Sequence, residues 1–289
     1  MIMALSTTAN GVWVLQALLG VESMPVALRL KPYIPSVHHE LIVDSTAGSV
    51  PLTQTAEYLS LVQAGAISAT GTVDDPIRDW MTVLGRADRQ AVLAFRRPSA
   101  QPARDGVSPA VDERVVVVCQ HKRWLAMAAR DGDEVVIDGV GETDDARAQA
   151  DLMAQTLIPA LGHAAPADIE GVNVPADLLQ VTLDAAAPHG RDAMVAAVGR
   201  LGLAPRQAQA LASAARVDES AMAVAVVIDQ GIAQHVHPRV VTVVDTEFGR
   251  ISITTSTSAD GKKWMSIWPA TPEALRQDLT GLLCVPRAA

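Results

Sequence analysis

RVVVVCQHKRWLAMAARDGDEVVID, residues 114–138, decides the fold class. Residues 114–120, 123–130 and 134–138 read as strands rich in β-branched and small apolar residues. Asp131-Gly132 between the last two is a strong hairpin turn, because glycine takes the positive φ that such a turn requires. So short a turn joins antiparallel neighbours. Val115 to Val118 are apolar on both faces, which places their strand in the interior of a sheet.

Upstream, 91–97 reads as a further strand, reached through helices. The first helix carries Val12, Trp13, Leu15, Leu18 and Leu19, with Asn10 as its cap and Gly20 as its stop. Residues 25–30 then read as a short strand. A helix over 51–64 buries Ala56, Leu59, Leu61 and Val62 and stops at Gly65. Asp75-Pro76 opens the next, since proline's missing N–H costs nothing at the first helical position, and Gly85 ends it.

Downstream, a helix over 143–161 begins on Thr143-Asp144-Asp145, an acidic first turn that the helix dipole favours. A proline-punctuated bridge follows, 162–188, with a helix starting at Ala176. Then the plan runs again, with helices over 191–199 and from Pro205, strands at 221–229, 239–245, 250–257 and 262–268, and a last helix over 272–283. The halves share element order rather than residue identity. The expectation is an α+β fold, with a central antiparallel β-sheet built from two pseudo-twofold-related halves, about 1–162 and 163–289 of a single domain, flanked by helical bundles.

Composition narrows the function classes. The 289 residues are 49% hydrophobic but 3% aromatic, so the core is built from Ala, Val and Leu. A formal net charge of −9 and a pI near 5.2 disfavour nucleic acid and anionic lipid, which call for clustered Lys and Arg. Cys119 and Cys284 both sit in apolar runs and read as buried, reduced thiols. The start of the chain shows no basic segment followed by an apolar one, and no charge-free apolar run approaches membrane length. These features predict a cytoplasmic protein without membrane insertion.

Residues that could carry chemistry are few. No phosphate-binding glycine loop, nucleophile elbow or zinc-protease pair occurs. His38-His39-Glu40 lacks a third ligand nearby in sequence, and His235-x-His237 is followed by Pro238 in a polar loop between two strands, so no metal is expected. The carboxylates gather at predicted caps and turns, such as Asp74-Asp75 and Asp144-Asp145. No catalytic residue or cofactor is predicted, and the chain reads as a non-enzyme.

Two connections stand out instead. Residues 98–112 form a longer loop than a hairpin needs, carrying Pro98, Arg104, Asp105 and Val107 just after Arg97. Residues 230–238, with Gln230, His235 and His237 and followed by Arg239, fall between the corresponding strands of the second half. Long loops on a rigid sheet are where recognition tends to sit, although a tolerated insertion would look the same.

Several strings resemble the EspG family of type VII (ESX) secretion-associated proteins: TTANGVWVLQ at 7–16, LLGVE at 18–22, GTVD at 71–74 and WMTVL at 80–84. VDT at 244–246, GR at 249–250 and GKKWM at 261–265 continue the resemblance along nearly the whole chain. It implies a cytosolic chaperone that grips the PPE tip of a PE–PPE heterodimer of its own ESX system and keeps it soluble for export. It implies partner contacts from the loop after the first long strand (98–112 here), from the central sheet, and from the helices spanning 191–215 with the last helix. By the repeat, Gln230, His235, His237 and Arg239 join Arg97, Pro98, Arg104, Asp105 and Val107 as candidate partner-binding residues. Rival readings are an α+β small-molecule-binding protein or enzyme with a pocket between sheet and helices, and a homodimer when free.

Overall fold

The chain was described in a computed structural model that covers residues 4–35, 42–45, 48–98, 111–216 and 219–287. Its elements in chain order begin with β1 (Leu5–Thr8), α1 (Ala9–Leu19), β2 (Ile42–Ser45), β3 (Gly48–Pro51), α2 (Ala56–Gln63) and α3 (Asp75–Gly85). Then come β4 (Arg89–Pro98), β5 (Val111–His121), β6 (Trp124–Asp131), β7 (Glu134–Glu142) and α4 (Ala146–Leu157). The rest of the chain gives β8 (Val172–Pro175), α5 (Ala176–Ala186), α6 (Arg191–Gly199), α7 (Pro205–Ala214), β9 (Ala221–Asp229), β10 (His235–Val236), β11 (Val241–Thr246), β12 (Gly249–Thr257), β13 (Lys263–Pro269) and α8 (Pro272–Leu283). The fold class is α+β, a large antiparallel sheet with helices, as expected.

The chain clusters into two compact units. The first comprises Met1–Val92, Arg114–Met153 and Ile228–His235; the second comprises Leu93–Glu113, Ala154–Val227 and Val236–Ala289. In the first, strands neighbour one another in the order β1-β7-β6-β5-β4. In the second, β9-β11-β12-β13-β8 follow in that order, and β10 pairs with β9. Each series ends on a four-residue edge strand that runs directly into an eleven-residue helix, β1 into α1 and β8 into α5. The edge strands pair antiparallel with β7 and β13 respectively.

Local chemistry explains most boundaries. Thr8, rather than Asn10, caps α1 by accepting from the Gly11 amide, and Gly20 ends it in the left-handed region. Pro25 is followed not by a strand but by a short 3-10 turn, Val26–Leu28, because Leu28 alone of these residues turns into the core and the Arg130 guanidinium holds the Leu28 and Arg29 carbonyls. The predicted 51–64 helix is split by Thr55, whose hydroxyl caps α2. The Asp131-Gly132 hairpin, α3 and α8 form where the sequence places them.

Two clusters of buried residues lie in the second unit among the described residues. Leu179, Val198, Leu203, Leu211, Val244, Ile251 and Ile267 form the larger core, and Met194 with Ala197 and Ala212 a smaller one among the helices. On β9 the more deeply buried face is Ala223, Ala225 and Val227, while Met222, Val224 and Val226 are half-buried, Met222 against the larger core. Small side chains there permit close packing. Arg250 pins the same unit, pairing with Asp245 at 2.5 and 2.9 Å and donating to the Leu161 and Gly162 carbonyls. Cys119 is buried as expected, but Cys284 is exposed: it falls just past the last turn of α8, after the buried Leu282 and Leu283.

Candidate functional site

The first long connection leaves β4 at Pro98 and enters β5 at Val111. Arg104, Asp105 and Val107 lie outside the described residues, as do His38, His39 and Glu40. Arg97 is exposed and Pro98 half-buried. Arg97 stands in the second unit, where it lines one small hollow with Phe95, Leu161, Asp245 and Arg250.

The second connection is anchored at both ends. Its root is the buried pair of Arg89 with Asp229, and the Gln230 amide then donates to the Asp88 carbonyl at 2.9 Å. Asp88 also accepts from the Lys122 amide through its carboxylate at 2.6 Å and donates its own amide to Gln120. On the return, His235–Val236 pair with β9 and the His237 amide donates to Val227. Gln230 and His235 belong to the first unit, His237 and Arg239 to the second. The exposed Arg239 reaches α8, where a Cβ built on Gly281 would lie 3.6 Å from its guanidinium.

Anchored ends hold out an apolar tip. Ile232 is 112% exposed relative to a reference residue and Val236 is more than half exposed. An isoleucine so exposed contributes nothing to the core. In the sequence its one mark is Gly231-Ile232-Ala233, an apolar break in an otherwise polar turn. A similar pair lies on α5, where Leu178 and Val181, three residues apart, project outward while Leu179 enters the core.

A groove of about 670 Å³ lies in the first unit between α3 and the β6–β7 hairpin. Pro76, Trp80, Val83, Trp124, Leu125 and Val140 supply its apolar surface, with Asp79, His121, Lys122 and Glu142 among its polar groups. Buried amides hold its wall: Gln120 donates to Gln149 at 2.6 Å, and Gln149 donates to the Lys122 and Thr143 carbonyls. His121 Nδ1 lies 3.4 Å from the Asp88 carboxylate. No group of three or more His, Cys, Asp or Glu among the described residues is arranged to hold a metal, and no described helix is long and apolar enough to cross a membrane.

The profile of the EspG family matches residues 8–281. The chain belongs to the EspG family. Among EspG relatives, the ESX-2 secretion-associated protein EspG2 of Mycobacterium tuberculosis is 28% identical over 284 residues, covering 96% of this chain and 92% of that protein. The ESX-5 secretion-associated protein EspG5 of Mycobacterium marinum is 25% identical over 289 residues, covering 94% and 90%. The fold is also that of a solved EspG: Mycobacterium tuberculosis EspG5, a type VII secretion system chaperone in complex with a PE25-PPE41 dimer. That structure matches with a TM-score of 0.73 over 97% of this chain and 96% of that one, at 21% identity.

Proposed function

We propose that this EspG protein is a cytoplasmic, non-enzymatic chaperone of a type VII (ESX) secretion system that binds the PPE tip of a PE–PPE heterodimer and keeps the pair soluble for export. The observation that carries the reading is the match of nearly the whole chain to the EspG family, together with its likeness in fold to an EspG5 chaperone solved with a PE–PPE dimer.

The binding surface we assign consists of the 98–112 loop with Arg97, Pro98, Arg104, Asp105 and Val107, and of the 230–239 connection with Gln230, His235, His237 and Arg239. The exposed Ile232 and Val236 supply the apolar contact on the second connection, and Leu178 and Val181 do so on α5. The partner's exposed apolar tip would self-associate without a cover, and a small apolar centre with a polar surround is what such a cover requires.

Co-expression with each PE–PPE pair from the same genome tests the proposal. One pair is expected to become soluble and to co-elute with this chain on a sizing column. Solubility of every pair without it, or co-elution with none, overturns the reading.

A further inference from the structure

The groove between α3 and the β6–β7 hairpin shares no residue with the surfaces assigned above, and its volume of about 670 Å³ falls within the ~300–1,000 Å³ range of small-ligand sites. Pro76, Trp80 and Val83 recur at helical spacing, so one face of α3 supplies one wall. The Trp80 ring is seated against β7, where the strand bulges at Val140: a Cβ on Gly139 would lie 2.5 Å from Nε1. Trp124 on β6 is 48% exposed, large for so costly a side chain to leave in water.

The charges that line the groove divide into committed and free. Glu142 pairs with Arg123 at 3.0 Å, and Arg123 also lies over the Trp124 ring, 4.9 Å from its centroid. His121 stands against the Asp88 carboxylate. That leaves Asp79 on α3 and the Lys122 ammonium at the β5–β6 turn. Neither has a side-chain partner among the described residues, and they do not pair with each other.

Lys122 is also held in an unusual way. It takes the first place of the two-residue turn between His121 and Trp124, with φ +54. Glycine is favoured at such a place, because a side chain strains the left-handed backbone. Three hydrogen bonds hold the lysine there: its amide donates to the Asp88 carboxylate, and its carbonyl accepts from the Gln120 and Gln149 side-chain amides. Strain fixed in this way on the wall of a cavity marks a functional position.

We propose that this groove binds a small aromatic zwitterion, a planar ring bearing one ammonium and one carboxylate. The ring packs on Trp80 and Trp124, the carboxylate meets the Lys122 ammonium, and the ligand's ammonium meets Asp79. Charge complementarity carries the choice, since the two charges left free are opposite in sign and a singly charged ligand would match only one. The inference goes beyond the chaperone reading and does not rest on it.

Isothermal titration calorimetry of the full chain with three probes tests it. L-Tryptophan carries both charges, tryptamine only the ammonium, and indole-3-propionate only the carboxylate. L-Tryptophan is expected to fill one site with a dissociation constant below about 1 mM, and each singly charged probe to bind about threefold more weakly or worse. Lys122→Gln should weaken L-tryptophan and indole-3-propionate by about threefold or more without weakening tryptamine. Asp79→Asn should do the reverse, weakening L-tryptophan and tryptamine but not indole-3-propionate. Such a crossed pattern is not produced by structural damage, which would weaken all three probes alike. Trp124→Ser should weaken every probe by about tenfold. All three variants are expected to keep the wild-type melting temperature and to retain the PE–PPE pair. No saturable binding of L-tryptophan, or equal losses for all probes in Lys122→Gln and Asp79→Asn, overturns the proposal. Loss of the PE–PPE pair in a stably folded variant would place the groove on the chaperone surface and likewise overturn it.

Discussion

Arg89 and Asp229, 140 residues apart in sequence, close a bidentate ion pair with Nε–Oδ1 at 2.6 Å and Nη2–Oδ2 at 3.0 Å. Both side chains are less than a tenth exposed. The pair fastens the start of β4 to the end of β9, one residue before the connection that carries Ile232 leaves the sheet. A guanidinium forked on a carboxylate fixes orientation as well as distance, so it sets where that connection begins.

Truncating one member leaves the other charge buried and uncompensated. Asp229→Ala is expected to lower the unfolding free energy by about 3–5 kcal/mol in urea titration. The double variant Arg89→Met with Asp229→Leu removes both charges and should recover most of that loss. Equal instability of the single and double variants would show that the charges are not what matters there.

Ile232→Asp combined with Val236→Asp tests the apolar tip of the second connection. Retention of the cognate PE–PPE pair should weaken by about 2 kcal/mol or more, the scale of a hot spot. Stability should stay within about 0.5 kcal/mol of wild type, because both side chains face solvent. Undiminished pull-down with this variant would remove the connection from the binding surface.

Gly249 has φ +106, and a Cβ there would lie 2.7 Å from the backbone N and Cα of Ala167. Backbone cannot step aside as a flexible side chain can. Gly249→Ala should destabilise by about 1–3 kcal/mol from conformational strain alone, with the clash adding to it. Differential scanning calorimetry reads the effect. Gly171→Ala makes a contrast, since the nearest atoms its Cβ would meet belong to the ring of the exposed Trp268, 2.1 Å away at Cε3. Its main effect should be a change in tryptophan fluorescence as that ring moves.

The two thiols should separate cleanly. Cys284 is exposed and Cys119 is buried, and burial pushes the Cys119 thiol far above its ordinary pKa. A thiol-reactive probe should label one site per folded chain, and raising the pH to about 9 should not release the second. Both should react in denaturant. Labelling of Cys119 in the folded protein would mean that the β5 region opens.

Much of the architecture was legible because the signals are local. Strand alternation, the Asp131-Gly132 turn and the prolines at 76, 205 and 272 place β5 to β7, α3, α7 and α8. The edge strands β1 and β8 escaped notice. Each has only four residues, Leu-Ser-Thr-Thr and Val-Asn-Val-Pro, too few to show a period, and becomes a strand only by pairing with β7 or β13. The carboxylates were read as caps and turns, which suits Asp145, the acceptor for the Ala148 amide, but not Asp229 or Asp245. Nothing in the sequence beside Asp229 marks a partner at position 89.

Sequence by itself determined the α+β class, the repeated order of elements and the kinship to EspG proteins, because periodicity, turn chemistry and ordered strings are properties of neighbouring residues. Tertiary structure alone decided which polar groups are buried in pairs, that Ile232 stands free while its flanks are tied to Asp88 and Val227, and that Trp80, Trp124 and a bulged strand share one groove. Those facts depend on contacts between residues distant along the chain, and such contacts are fixed only when the whole core packs.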